Sequence, residues 1–82
     1  MSGVMVIFKV YPKEGSLQAA LDEIREKLSP KDIQEEEIGF GLKAIKVLFT
    51  YDSANMSSSQ IEDSLKGLDS IDEVEVEQES LL

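Results

Sequence analysis

Residues 37–47 read EIGFGLKAIKV and place a large aromatic residue, Phe40, between two glycines at the start of a strand-like run. Glycine on both sides removes neighbouring side chains and lets the backbone turn sharply. The turn predicted over residues 38–41 can therefore present the Phe40 ring outward, as rigid loops do with the aromatic anchors of protein interfaces. The alternative is that the ring folds back and covers the core.

Two predicted strands flank this turn. The run after it, residues 42–51, alternates in polarity, as expected of a strand. One face of that strand carries Ile45, Val47, Phe49 and Tyr51. The run before the turn, residues 31–37, has one clear apolar residue, Ile33, and ends in three successive glutamates. Charged residues of this kind are typical of an edge strand that must stay soluble, so the segment predicts a hairpin with one edge strand.

A strand followed by a helix is predicted before the hairpin. Residues 4–11 alternate with both faces largely apolar at first, as in an interior strand, and Pro12 and Gly15 end the run. Ser16 stands where a helix cap is expected, and Ser29-Pro30 stops the helix. The apolar stripe of that helix consists of Leu17, Ala20, Leu21, Ile24 and Leu28.

A second helix and strand are predicted after the hairpin. Ser59 and Glu62 have the spacing of a capping box, in which each side chain satisfies a free backbone N–H at the start of a helix. The apolar stripe of this helix consists of Ile61, Leu65 and Leu68. The final strand spans residues 71–77, and residues 78–82 form a short tail. The residues predicted to face the core from this strand are Val74 and Val76.

The predicted order is therefore strand, helix, strand, strand, helix, strand. Two β-α-β halves joined by a hairpin form an α+β, ferredoxin-like βαββαβ sandwich, in which a four-stranded antiparallel sheet carries both helices on one face. Right-handed crossovers place the first and third strands in the centre and the other two at the edges. Residues 1–82 are expected to form a single domain.

The composition argues against several classes of function. The 82 residues carry 8 Lys+Arg and 17 Asp+Glu, and this net charge of −9 repels phosphate backbones and anionic lipid and favours a basic protein partner. Histidine and cysteine are absent, which removes the commonest general acid–base group, thiolate metal sites and every triad built on these residues. No apolar run approaches the roughly 20 residues that span a bilayer, and we expect a cytoplasmic protein without a signal peptide.

Two further motifs fit known chemistry poorly. Gly39 and Gly41 lack the third glycine of a dinucleotide fingerprint, and a strand follows where that motif requires a helix. Glu35, Glu36 and Glu37 alternate between the two faces of an extended strand, so they do not converge on one metal ion. We therefore expect no catalytic residue, no metal and no cofactor.

Two other functions hosted by this fold also lack their residues. Acylphosphatases depend on an arginine in an N-terminal phosphate loop and an asparagine on a later strand, whereas Arg25 lies mid-helix and Asn55 lies in a loop. RNA-recognition modules carry aromatic and basic residues on their central strands. Phe8, Phe49 and Tyr51 are present here, but the basic-Gly-aromatic pattern is missing and the negative charge opposes RNA.

The motif IGFGLKAIKV, residues 38–47, resembles the signature of the archaeal translation elongation factor 1-beta family. The same motif occurs in the catalytic C-terminal domain of the eukaryotic counterpart. The likeness covers essentially the whole chain, including the first strand that ends at Tyr11-Pro12 and the closing segment IDEVEV, residues 71–76.

This resemblance implies a guanine-nucleotide exchange factor, which is not an enzyme. Its partner would be elongation factor 1-alpha, on which it promotes GDP release and GTP reloading during protein synthesis. In the family, the ring that matches Phe40 contacts this GTPase, and the C-terminal tail reaches the magnesium site of the nucleotide. The implied partner-binding residues are Gly39, Phe40, Gly41, Lys43, Leu81 and Leu82. A free monomer without direct nucleic-acid or membrane contact is expected.

The C-terminal residues depart from the family pattern. Family members commonly carry a basic residue at or next to the end, whereas residues 77–82 of this chain have no positive charge. No catalytic lysine is therefore carried over, and Leu81 and Leu82 are expected to pack against the partner instead. Two alternatives remain open: a small-molecule-binding regulatory domain like the ACT modules, and an acidic scaffold without exchange activity.

Overall fold

The computed structural model describes residues 3–82, which form one four-stranded sheet and two helices. Along the chain the elements are β1 (Gly3–Pro12), α1 (Leu17–Leu28), β2 (Asp32–Gly39), β3 (Leu42–Asp52), α2 (Ser58–Lys66) and β4 (Ile71–Leu81). The strand order is β2-β3-β1-β4, and every neighbouring pair is antiparallel. The predicted ferredoxin-like fold is confirmed, with β1 and β3 in the centre.

The core lies between the two helices and one face of the sheet. Alternate residues of β1, from Val4 to Val10, are buried on this face. Phe8 and Phe49 meet edge to face, with their ring centroids 6.0 Å apart and their planes at 71°. A ring pair of this geometry adds about 0.5–1.5 kcal/mol to the stabilisation from burial. The helices contribute Ala20, Leu21, Ile24, Ile61 and Leu65.

The helix starts differ in part from the prediction. Ser57 is the N-cap of α2: its N–H donates to Gln60 Oε1 at 2.8 Å, and its Oγ accepts from the Gln60 N–H at 3.4 Å. The predicted capping box of Ser59 and Glu62 is therefore wrong, because Ser57 and Gln60 have the same spacing and start the helix earlier. Ser16 occupies the N-cap position of α1, but its side chain makes no capping hydrogen bond.

Strand β4 is longer than predicted. Residues 78–81, expected in a tail, continue the strand and pair with β1 up to the partners Val4 and Leu81. The register shifts between Ile7 and Phe8, which leaves Glu77 without an opposite residue and makes it a β-bulge. Val76 is 46% exposed, so its predicted place in the core is wrong. It lies on an edge strand, whose buried core residues are Ile71 and Val74.

The helices are short. Within residues 3–82, α1 has 12 residues and α2 has 9, and neither is long and apolar enough to cross a bilayer.

Candidate functional site

The hairpin between β2 and β3 closes through a two-residue turn, Phe40-Gly41. Gly39 and Leu42 are the last opposed residues, and φ is 103° at Gly39, 54° at Phe40 and 74° at Gly41. Positive φ at both central residues is the mark of a type I′ turn, whose twist matches that of the flanking strands. Glycine adopts such angles freely, whereas a residue with a side chain is destabilised by about 1–2 kcal/mol. The turn therefore stores strain at Phe40.

The glycines on either side of Phe40 are favoured by their backbone angles, and not because a side chain would clash with neighbouring atoms. A Cβ added at Gly39 or Gly41 would meet no heavy atom within 4 Å. The left-handed φ values alone disfavour other residues there. These glycines set the direction in which the Phe40 ring projects, as the sequence predicts.

The Phe40 side chain is fully exposed, at 103% of its reference area. The alternative in which the ring covers the core is therefore wrong. Two further apolar side chains beside it are exposed, Ile38 at 40% and Leu42 at 58%. We call Ile38, Phe40 and Leu42 the apolar tip. Exposed apolar residues clustered on a strained turn are typical of an interface and contribute little to the core of the free chain.

Lys43 lies next to the apolar tip on β3. Its Nζ is 3.3 Å from Glu35 Oε1, and both side chains are almost half exposed. Exposed ion pairs contribute at most about 1 kcal/mol, so this one leaves Lys43 free to meet an acidic group on a partner. Glu36 faces Lys9 instead, at 3.8 Å. In the part of the chain that the structure describes, no group of three or more acidic side chains is placed to hold a metal ion.

Leu81 and Leu82 lie at the opposite end of the sheet from the apolar tip. Strand β3 runs from the tip to Asp52, which pairs with Gly3, and the Leu82 N–H donates to the Gly3 carbonyl at 2.9 Å. At about 3.3 Å per residue, the length of β3 separates the two ends by roughly 30 Å. The longest dimension of the molecule is 42 Å. The leucines are 80% and 74% exposed. The predicted contact residues thus mark two separate ends.

Sequence reasoning missed a hydrogen bond that holds this second end. The Tyr51 hydroxyl donates to Glu79 Oε2 at 2.7 Å. The bond raises the pKa of Tyr51, and with a further hydrogen bond from Ser58 it lowers the pKa of Glu79. The bulge at Glu77 shifts the alternation of β4 by one residue and so brings Glu79 onto the face of Tyr51. Strict alternation from Val74 would have placed Gln78 there.

An α+β domain with a strained, exposed ring at one end and exposed leucines at the other has the features of a protein-binding module. Over residues 5–82 the chain matches the family described as the EF-1 guanine nucleotide exchange domain. Elongation factor 1-beta of Methanosphaerula palustris is 35% identical over 79 residues, which cover 93% of each chain. Its counterpart in Methanospirillum hungatei is 35% identical over 85 residues, covering both chains completely. That of Methanosphaera stadtmanae is 38% identical over 81 residues, covering 93% of this chain and 92% of the relative.

The chain therefore belongs to the EF-1 guanine nucleotide exchange domain family. The predicted family is confirmed, and so is the predicted role in guanine-nucleotide exchange for elongation factor 1 during translation. Exchange of a bound nucleotide makes and breaks no covalent bond. The family assignment favours exchange over the alternative of a small-molecule-binding regulatory domain.

Proposed function

We propose that this chain binds elongation factor 1-alpha through both ends of its sheet and thereby promotes GDP release and GTP reloading. The observation that carries the proposal is the full exposure of Phe40 on a type I′ turn that is strained by its side chain. A free protein gains nothing from that strain, whereas a partner with an apolar pocket gains a rigid aromatic anchor. Gly39 and Gly41 aim the ring, and Lys43 adds a charged contact beside it.

The exchange mechanism is a competition between the factor and the nucleotide. GDP is held in such GTPases by backbone N–H groups around its phosphates and by Mg²⁺ that bridges phosphate and protein oxygens. A factor that binds the nucleotide-free GTPase more tightly than the GDP form weakens GDP binding by the same coupling free energy. GTP then refills the site and expels the factor.

Leu81 and Leu82 provide the second contact in this proposal. Because residues 77–82 carry no positive charge, they disturb the nucleotide site by apolar packing and not by replacing a magnesium ion with a cation. The length of the sheet requires a partner surface that extends at least about 30 Å between the two contacts. A rigid body of this length can bridge two separate regions of one GTPase.

The remaining predictions are part of the same proposal. Residues 1–82 act as one exchange domain in the cytoplasm, as a monomer until the GTPase binds, and without direct contact to nucleic acid or membrane. The net charge of −9 supports a basic protein partner and opposes phosphate backbones. The chain acts by binding alone and is not an enzyme.

The test is release of a fluorescent GDP analogue from purified elongation factor 1-alpha, with excess unlabelled GTP and increasing amounts of this chain. We expect the release rate to rise with the concentration of the chain and to reach a plateau. Bovine serum albumin at the same concentration controls for non-specific effects. A release rate that stays at its spontaneous value at every concentration would show that the chain is an acidic scaffold without exchange activity.

A further inference from the structure

We propose that Tyr51 is a positioning residue for the C-terminal contact. Its hydrogen bond to Glu79 holds the C-terminal arm, residues 78–82, in line with the sheet, so that Leu81 and Leu82 meet the GTPase in a fixed place. This inference rests on the proposed function, because it assumes that those leucines contact the partner.

The C-terminal arm has few other restraints. None of its residues is buried, since Ser80 is half-buried and the other four are exposed. It belongs to an edge strand, so it pairs with β1 on one side only, and it follows the bulge at Glu77. Its last backbone hydrogen bond runs from the Leu82 N–H to the Gly3 carbonyl, at 2.9 Å. A strand end with so little burial is expected to fray.

The Tyr51–Glu79 hydrogen bond reaches across a whole strand. Tyr51 lies on β3 and Glu79 on β4, and β1 separates these strands in the sheet. On β1, Val4 is paired with Tyr51 of β3 on one side and with Leu81 of β4 on the other. The two side chains and the hydrogen bond between them together span roughly two strand spacings, about 10 Å, and tie the arm to a central strand.

The start of α2 joins the same network. Ser58, the first residue of α2, lies close enough to both groups to act on them: it helps to lower the pKa of Glu79 and partly offsets the rise in the pKa of Tyr51. Three elements, β3, β4 and α2, thus meet at Glu79. An edge strand that is anchored to two other elements keeps its C-terminal arm in register with the rest of the fold, although that arm buries no apolar residue.

The chain contains a matched control for this bond. The Tyr11 hydroxyl donates to Glu75 Oε2 at 3.2 Å, on the face of the sheet that the helices leave open and before the bulge. Tyr11→Phe and Tyr51→Phe each remove one hydroxyl that bonds a glutamate of β4. Only Tyr51→Phe removes a bond to the C-terminal arm.

The first measurement is amide hydrogen exchange on the free chain, which needs no GTPase. We expect Tyr51→Phe to speed exchange at Leu82 about fivefold, the effect of losing one ordinary hydrogen bond, and to leave the core amide of Ile45 unchanged. Glu79→Ala should act in the same way, whereas Glu79→Gln should restore most of the protection because its amide oxygen still accepts from the phenol. Equal protection of Leu82 in wild type and Tyr51→Phe would overturn the proposal.

The second measurement separates positioning from a general structural role. In the GDP-release assay, Tyr51→Phe should lower the maximal release rate several-fold while the half-saturating concentration of the chain stays within about twofold, because Phe40 still anchors the complex. Tyr11→Phe should match wild type in both parameters. A wild-type maximal rate for Tyr51→Phe, or an equal loss for Tyr11→Phe, would refute a positioning role. Failure of the wild-type chain itself to accelerate release would instead overturn the proposed function, and this inference with it.

Discussion

Phe40 is unfavourable for the fold of the free chain, and we propose that it is retained as the anchor for the partner. Its backbone has a φ of 54° and its ring is fully exposed, so the free chain bears the strain without gaining burial. Natural sequences retain such strain mainly where function requires it. An asparagine or glycine at this position would fit the turn better and would remove the anchor.

The first prediction concerns the ring itself. Phe40→Ala is expected to leave the fold intact and to weaken binding to elongation factor 1-alpha by about 2 kcal/mol, roughly thirtyfold in Kd, as loss of an aromatic hot spot does. Isothermal titration calorimetry with the nucleotide-free GTPase measures the Kd of each variant. Val76→Ala is the control, because Val76 is an exposed apolar residue outside the apolar tip. Similar losses of affinity for both variants would mean that Phe40 is no special anchor.

The second prediction concerns the strain at the same position. Phe40→Gly and Phe40→Ala both remove the ring, but only glycine relieves the left-handed backbone, so Phe40→Gly should be more stable than Phe40→Ala by about 1 kcal/mol. Urea denaturation followed by circular dichroism gives both free energies of unfolding. At Met56, which is exposed and has no positive φ, the order should reverse and alanine should be the more stable. If the alanine variant had the higher free energy of unfolding at both Phe40 and Met56, the turn at Phe40 would not be strained.

At the scale of single residues, the sequence predicted the turn, because glycine at both Gly39 and Gly41 favours a sharp bend. The residues alone left open whether the Phe40 ring faces solvent or covers the core, and the family resemblance favoured exposure. The sequence could not predict the contact of Tyr51 with Glu79. That contact depends on a register shift at Glu77, and neither local propensity nor alternation marks a bulge in a run of polar residues.

At the scale of elements, the predicted order and type of all six helices and strands are confirmed, while several boundaries are wrong. Strong alternation in β1 and β3 fixed their identity, since burial on one face is the dominant local signal. Polar residues at the end of β4 carry no such signal, because an edge strand is stabilised there by backbone pairing alone. The start of α2 was ambiguous because three successive serines, Ser57 to Ser59, are all suitable caps.

The third prediction concerns the pH range in which the C-terminal arm is held. The hydrogen bond to Glu79 raises the pKa of Tyr51. The stabilisation of the folded chain by this bond is therefore complete below the ordinary tyrosine pKa of 10.0, and it is lost as the pH rises through the raised pKa. The bonds from Tyr51 and Ser58 lower the pKa of Glu79, so its stabilisation is present above the ordinary value of 4.5 and is lost as the pH falls through the lowered pKa.

The measurement is the difference in unfolding midpoint between wild type and Tyr51→Phe across this range. We expect a constant difference between about pH 5 and pH 9 that shrinks toward zero at both extremes. The same measurement on Tyr11→Phe shows how much of the pH dependence comes from Tyr11. The pKa of Tyr11 is also raised, chiefly by burial and by its hydrogen bond to Glu75. A difference that does not change with pH at either extreme would show that the Tyr51–Glu79 bond does not contribute in solution.

At the scale of the whole molecule, the sheet is a rigid spacer between the two proposed contacts. β1 and β3 run through its centre and are paired on both sides, so the distance from the apolar tip to Leu81 is fixed by backbone hydrogen bonds along the entire length. A rigid spacer adds the free energies of two contacts only when the partner presents both surfaces at the matching distance. In the proposed complex, the length of the fold would therefore contribute to specificity for the GTPase.

The fourth prediction follows from this separation of roles. In the proposed complex the apolar tip docks the chain without acting on the nucleotide, so Phe40→Ala should raise the half-saturating concentration of the chain in the GDP-release assay and leave the maximal rate near wild type. Leu81→Ala with Leu82→Ala removes the contact nearest the nucleotide in the proposed complex. This double substitution should lower the maximal rate with little change in half-saturation, and it keeps the Leu82 N–H bond to Gly3 because the backbone is unchanged.

Combining all three substitutions tests whether the two ends act independently. The ends lie roughly 30 Å apart and share no contact, so their effects on the free energy of unfolding should add to within about 0.5 kcal/mol, and the triple variant should show both kinetic defects together. A rise in half-saturation for the leucine variant, with an unchanged maximal rate, would mean that the C-terminal end only docks the chain. We would then assign the disturbance of the nucleotide to the apolar tip, the other proposed contact.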